Sequence, residues 1–383
     1  MEEQRRISLN DLVVGEPLPW DVYGTGNKLL LRRGHVLDSA RQAEDLVARG
    51  VFIDGGQAER DRQARLDALE AARREAPSAL RLINESVARL GRLLYNLGNE
   101  ADPGSRIAEI GAAINAALDI NTDVALASIQ LNRESGTYAV RHAVDTAILA
   151  LLVARAMRRD EAERRSLVAA ALTMNVGMLR FQDHLQGKVE PLSEAERADV
   201  RGHTEESARL LAAAGIDDPL WLACVQMHHD DPDGSGYPLG ARVTDIPEAA
   251  RILAMADRYC AAVSLRAYRK TLLPGPALRD VLMRGGKTSE PVLAAHLIKE
   301  LGTSPPGTLV RLADGEIGVV TRRASSTSAP VVHAFIGPRG SPLSFPIKRD
   351  TGKPLHAIRE VLPSDHAVLR FPLQQLWGSE AAP

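Results

Sequence analysis

Apolar residues recur at helical spacing through the middle of this chain and alternate with polar ones toward both ends. From about residue 80 to 300 the pattern is helical throughout. Asp160 with Glu163 resembles a capping box and predicts a helix whose apolar face includes Leu167, Ala171 and Met174. Pro247 suits the first turn of another helix, running through Ile252, Leu253, Ala256, Cys260 and Val263. Upstream, Val22-Tyr23 and Leu29-Leu30-Leu31 flank Gly24-Thr25-Gly26-Asn27, a hairpin pattern. Ser39 then predicts a helix N-cap and Gly50 its end, ahead of a Val51-Phe52-Ile53 strand. Residues 58–75 are charged and helix-prone with little apolar surface, so an exposed linker helix is expected there, broken at Pro77. After Pro305-Pro306-Gly307 the period becomes alternating. Leu309–Leu312, Asp314-Gly315 and Ile317–Val320 predict a β-hairpin, with Val331–Ile336 and Leu343–Ile347 as further strands.

The expected fold is mainly α, with a small α+β unit before the all-helical domain and a small β-rich segment after it. The expected boundaries are 1–57 for the N-terminal unit, 58–104 for a helical linker, 105–300 for the helical domain and 301–383 for the β-rich segment.

Composition narrows the function classes. The formal charge of −2 over 383 residues gives no global attraction to nucleic acid or an acidic membrane. Cys224 and Cys260 lie inside apolar helical patterns, which argues for a reducing compartment and against a disulfide framework. The longest apolar stretch, Ala147–Ala154, is too short to span a bilayer, and no apolar signal region follows Arg6. The expectation is a soluble cytoplasmic protein without nucleic-acid binding or membrane insertion. A homodimer is compatible with the sequence.

The candidate chemistry centres on Met227-His228-His229-Asp230-Asp231-Pro232-Asp233-Gly234-Ser235-Gly236-Tyr237-Pro238. Neighbouring imidazoles can face one metal, and a glycine-rich turn allows close approach to the backbone. A His-His pair by itself is also common on surfaces. Asp257 stands on the inward face of its helix, where a bare carboxylate is costly and calls for a cation or donors beside it. Its ordinary explanation would be a structural salt bridge. His142, on an apolar helical face, and His203, at the start of an amphipathic helix, would each alone be an unremarkable helical histidine.

These elements together resemble the HD-GYP family of cyclic di-GMP phosphodiesterases, over about residues 130 to 275. The resemblance rests on Tyr138–Ala147 around His142, Leu192–Ser207 around His203, the His228-His229 pair with its Asp233-Gly234-Ser235-Gly236-Tyr237-Pro238 loop, and Asp257. It implies an HD-type helical domain. It also implies His142, His203, His228, His229 and Asp257 as ligands of a divalent metal (Fe, Mn or Zn), and Gly234, Gly236, Tyr237, Pro238, Arg266 and Arg269 as substrate-binding residues. The partners implied are cyclic di-GMP and, through the Gly-Tyr-Pro loop, GGDEF-type diguanylate cyclases.

One part of the family pattern is missing. The name-giving His-Asp pair, whose Asp bridges two metals about 3.5–4 Å apart, reads Met174-Asn175 here, and the usual Lys three residues on reads Met178. Asn is a poor bridge between cations, and a thioether suits hard iron or manganese badly. By analogy one metal keeps His203, His228 and His229, while the other keeps only His142 and Asp257. Asp183-His184, nine residues after Met174-Asn175 in what should be the following loop, is an unpromising substitute. Tyr138 occupies the place of the extra Glu found in trinuclear members. The expectation is one ion or none, and a catalytically impaired protein that acts by binding nucleotide or partner proteins. The alternative is an active, metal-dependent phosphodiesterase with an atypical site, hydrolysing cyclic di-GMP to pGpG or GMP.

Overall fold

The computed structural model describes residues 4–7, 12, 14, 17–18, 20–25, 28–49, 51–54, 63, 76–132, 135–188, 190–240, 245–264, 271–284, 287–288, 290–323, 329–363 and 372–383. The chain divides into two compact units, 1–76 and 77–383.

The first unit is an antiparallel sheet in the order β1-β4-β2-β3, formed by β1 (Gln4–Arg6), β2 (Val22–Gly24), β3 (Lys28–Leu31) and β4 (Phe52–Asp54), with α1 (Ala40–Ala48) alongside. The Ser39 hydroxyl accepts from Gln42 N at 3.4 Å, which caps α1 where the sequence expects it. Ile7, Trp20, Val22, Leu37 and Val51 close a small core. Gly26, Asn27, Gly50 and residues 58–75 apart from Gln63 lie outside the described residues.

The second unit is built on α2 (Ala79–Leu94), α3 (Pro103–Leu131), α4 (Tyr138–Ala156), α5 (Glu161–Thr173), α6 (Leu179–Gln186), α7 (Glu194–Ala213), α8 (Pro219–Met227), α9 (Glu248–Val263), α10 (Pro274–Leu282) and α11 (Pro291–Leu301). Their starts follow local chemistry. Ser78, Asp160 and Asp218 accept backbone N–H groups at the heads of α2, α5 and α8, and Ser193 with Glu196 forms a complete capping box on α7. Prolines open α3, α8, α10 and α11. Helix α3 is two helices in series: Asn121 leaves helical geometry at φ −158, ψ 102, and its Oδ1 accepts Val124 N at 3.0 Å to cap the second.

Helix α4 is buried along nearly its whole length, so the Ala147–Ala154 stretch is the central core helix rather than a bilayer span. No helix among the described residues is long and apolar enough to cross a membrane. Cys224 and Cys260 are free and buried in this core, and burial pushes the Cys224 thiol up to about 12.

A short hairpin, β5 (Met283–Arg284) and β6 (Lys287–Thr288), precedes α11. The C-terminal sheet contains β7 (Leu309–Leu312), β8 (Ile317–Arg322), β9 (Val331–Ile336), β10 (Pro342–Asp350) and β11 (Ile358–Val361), ordered β10-β9-β8-β7-β11 with every neighbour antiparallel. The predicted hairpin has the register Leu309↔Val319 and Arg311↔Ile317. Strand β11 and the short helix α12 (Gln374–Trp377) carry no comparable signal in the sequence. Arg323 ties the sheet to the helices through Asp123 at 2.7 Å and Glu300 at 3.1 Å.

Candidate metal centre

His203 projects from α7, and His228 and His229 follow the last turn of α8. Their ligating atoms lie within 4.8 Å of one another. The Nδ1–H of His203 donates to the Val200 carbonyl and that of His228 to the Val225 carbonyl, the latter at 2.8 Å. Each bond reaches back one helical turn, so it follows from the helix itself. It fixes the tautomer and leaves the Nε2 lone pair pointing into the cluster.

The Nε2 atoms of His203 and His228 then face each other at 3.3 Å. Two lone pairs at that distance repel, whereas two nitrogens on one tetrahedral ion with bonds of ~2.0–2.1 Å sit roughly 3.4 Å apart. The donor set therefore fits a small divalent cation. Burial holds all three imidazoles below their usual range, His203 at about 4, so each is neutral and competent to ligate near pH 7.

The opposite side differs. His142 on α4 and Asp257 on α9 are both buried and bond directly, Nε2 to Oδ1 at 2.7 Å. Burial pushes the Asp257 carboxyl up. The hydrogen bond and electrostatic attraction to His142, aided by His229 and His228, outweigh it and hold Asp257 below the usual carboxylate range. An ionised carboxylate accepts, so the His142 Nε2 carries the proton and has no lone pair to offer. Its other nitrogen, Nδ1, is buried with no hydrogen-bond partner. Tyr138 stacks on the ring at 5.6 Å between centroids.

Met174 caps α5 from within the apolar core, and Asn175, also buried, leaves its Oδ1 without a hydrogen-bond partner. Both precede a 3-10 turn, Val176–Met178, that packs closely on α7. At Gly177 a Cβ would stand 2.7 Å from Ser207 N and 2.9 Å from the carbonyl of His203, so only glycine lets the turn approach that helix. Asp183 lies on helix α6 rather than in the expected loop, and it is engaged elsewhere: one oxygen accepts from the Tyr95 hydroxyl and the other from Ala139 N at 3.1 Å, at the head of α4.

The loop is held by its own acids. Asp230 accepts Leu239 N at 3.1 Å and Gly240 N at 2.8 Å, and so clamps the two ends of the loop together. Asp233 accepts the Ser235 amide and hydroxyl, forming an Asx turn. At Gly236 a Cβ would lie 2.2 Å from the His229 carbonyl. Tyr237 N donates to that same carbonyl at 3.1 Å, and its ring tilts over His229 at 4.8 Å. Gly234 takes φ +77 in the turn, and the Tyr237-Pro238 peptide is cis.

His229, Asp231, Asp233, Ser235, Gly236, Tyr237 and Arg258 line a cavity of about 480 Å³ beside the histidines. Arg258, next to Asp257 on α9, pairs with Asp231 at 3.2 Å. Sequence reasoning passes over both residues, because their meeting depends on α9 packing under the loop. Arg266 and Arg269 lie outside the described residues.

With this geometry in hand, comparison with known proteins is informative. Residues 123–288 match the HD domain family. The cyclic di-GMP phosphodiesterase PA4108 of Pseudomonas aeruginosa is 29% identical over 328 residues, covering 80% of this chain and 79% of that protein. The cyclic di-GMP phosphodiesterase PdeB of Borreliella burgdorferi is 24% identical over 203 residues, 53% of each chain. The 3′3′-cGAMP-specific phosphodiesterase 3 of Vibrio cholerae is 29% identical over 168 residues, 44% of this chain and 36% of that one. The helical unit is thus an HD domain. Its histidine pair and Gly-Tyr-Pro loop are those on which the resemblance to the HD-GYP family rests, and the chain is similar to these cyclic-dinucleotide phosphodiesterases.

Proposed function

We propose that this chain is a cyclic di-GMP signalling protein with an impaired hydrolytic centre, which binds the nucleotide and partner proteins rather than turning it over efficiently. One observation carries the reading: the Nε2 of His142 is spent on Asp257 at 2.7 Å while Met174 and Asn175 stand in place of the His-Asp pair. His203, His228 and His229 would hold one divalent ion, Fe, Mn or Zn, which when bound supplies Lewis-acid chemistry to a phosphoester oxygen. The chain's own groups do the rest. The Val200 and Val225 carbonyls orient two ligand imidazoles, and Asp230 holds the loop closed around His229. Among the described residues around this centre, nothing equivalent serves a second ion. A buried amide and a thioether cannot bridge two hard cations, which leaves the leaving oxygen without its stabilising charge.

The decisive experiment measures metal content and hydrolysis of cyclic di-GMP and 3′3′-cGAMP on one sample, then repeats both on Met174→His/Asn175→Asp. We expect about one ion per chain or fewer, with negligible turnover, and a gain of both metal and hydrolysis in the double variant. Wild-type turnover to pGpG or GMP at rates typical of the relatives would overturn the reading. The compact histidine cluster supports a second reading, an active enzyme with one ion, which requires turnover that disappears on chelation. The Gly236-Tyr237-Pro238 loop is also proposed to contact GGDEF-type cyclases, a contact that Tyr237→Ala would abolish in a pull-down without lowering Tm.

A further inference from the structure

We propose that Arg258 binds a phosphate of the cyclic dinucleotide in the cavity beside His229, with Asp231 as the counter-ion it exchanges for the ligand. This rests on the nucleotide-binding reading above. The cavity, about 480 Å³, falls within the size range of small-molecule sites. One wall is His229 and Tyr237, so its occupant lies directly against the histidine cluster. Among the described lining residues Arg258 is the one arginine or lysine.

Arg258 is also under-used. A guanidinium offers five N–H donors in a fork that matches two phosphate oxygens. Here Nη1 makes one 3.2 Å contact to Asp231 Oδ1, and Nε is buried with no hydrogen-bond partner. Of the acids sharing the cavity, the Asp233 carboxylate is committed to the loop. Asp233 is occupied by Ser235, and the Asp231 backbone carbonyl accepts Gly234 N at 2.9 Å. The Arg258–Asp231 pair is solvent-edged, with side chains 24% and 11% exposed, so a phosphate can reach it. A phosphate would offer that fork two charge-assisted bonds.

The test is calorimetric titration of the metal-loaded full chain with cyclic di-GMP, alongside thermal melting, for wild type, Arg258→Met, Arg258→Lys and Asp231→Asn. We expect Arg258→Met to weaken binding by roughly 10- to 100-fold, as for loss of a hydrogen bond to a charged group, and Arg258→Lys to recover part of that. Asp231→Asn should bind as tightly as wild type or several-fold more tightly. The contrary role, a brace for the loop, predicts that Asp231→Asn weakens binding as much as Arg258→Met does. That outcome, or unchanged binding in Arg258→Met, overturns the proposal and leaves nucleotide binding intact. A wild-type chain that binds no cyclic dinucleotide overturns the underlying reading and this proposal with it.

Discussion

The two sides of the centre use histidine in opposite ways. In the cluster of His203, His228 and His229, two Nδ1 atoms are satisfied by carbonyls of their own helices, and the ligating nitrogens converge. On the other side the ligating nitrogen of His142 is consumed by Asp257, and the next groups along are Met174 and Asn175. Each arrangement is coherent by itself: one keeps lone pairs available, and the other closes a hydrogen bond across two packed helices. A buried imidazole thus becomes a candidate ligand through what its second nitrogen touches, and burial by itself does not decide the matter.

Metal content separates the two sides most sharply. His228→Ala should lower bound metal by more than about tenfold after dialysis, measured by mass spectrometry, because an inward ligand is lost. His142→Gln, which can still donate to Asp257, should leave metal content unchanged; a parallel loss would mean that both sides hold one shared ion. Stability reverses the contrast. Removing one partner of a buried pair strands a charge, so His142→Ala should cost about 3–5 kcal/mol in urea unfolding. Converting both His142 and Asp257 to leucine should recover most of it.

Acidification reports on the cluster and, with the opposite sign, on Asp145, whose carboxyl burial holds well above the usual range. Burial lowers the imidazoles of His203, His228 and His229, and His203 reaches about 4. The unfolded chain therefore takes up protons below about pH 6.5 that the folded chain refuses, so stability is full above that pH and falls as pH drops toward 4. Metal-free protein should lose on the order of 3 kcal/mol across that window through His203 alone. Asp257 is depressed, so its contribution survives the window and is lost only in stronger acid. Urea midpoints at pH 7, 6, 5 and 4 in an Asp145→Asn background, which removes the opposing carboxyl, provide the check, and a flat profile there would contradict buried neutral histidines.

Smaller effects test the supports. A methyl group at Gly236 meets the His229 carbonyl, so Gly236→Ala should cost about 2 kcal/mol, in the range of other overpacking changes, and weaken nucleotide binding. Met174→Leu conserves volume in the core and should cost under about 1.5 kcal/mol with no change in metal content. A large loss of metal there would show that the thioether takes part in the centre.

Several elements are legible in the chain because their causes are local. Ser39, Asp160 and Ser193 announce helix starts within three residues, and the hairpin of β7 and β8 follows from alternation around Asp314-Gly315. The kink at Asn121 is harder to see, since Asn there breaks no periodicity and acts through hydrogen bonds to Asp123 N, Val124 N and the distant Glu380. Strand β11 mixes half-buried and exposed positions, whereas β8 is buried at every position but its last and so stands out as an apolar run. The Asp230 carboxylate, close in sequence to two ligands, clamps Leu239 and Gly240, a role that spacing alone could not assign.

By itself the sequence determined the His228-His229 pair with its Gly-Tyr-Pro loop, the run of helices and the Met174-Asn175 pair that ends one of them, because these are written in adjacent residues or in one helical period. Only the tertiary structure decided how the remaining groups are spent. His142 and Asp257 are 115 residues apart, and Arg258 and Asp231 are 27 apart. Whether such groups meet each other or wait for a ligand depends on how α4, α9 and the loop pack, and no local pattern encodes a distance across the core.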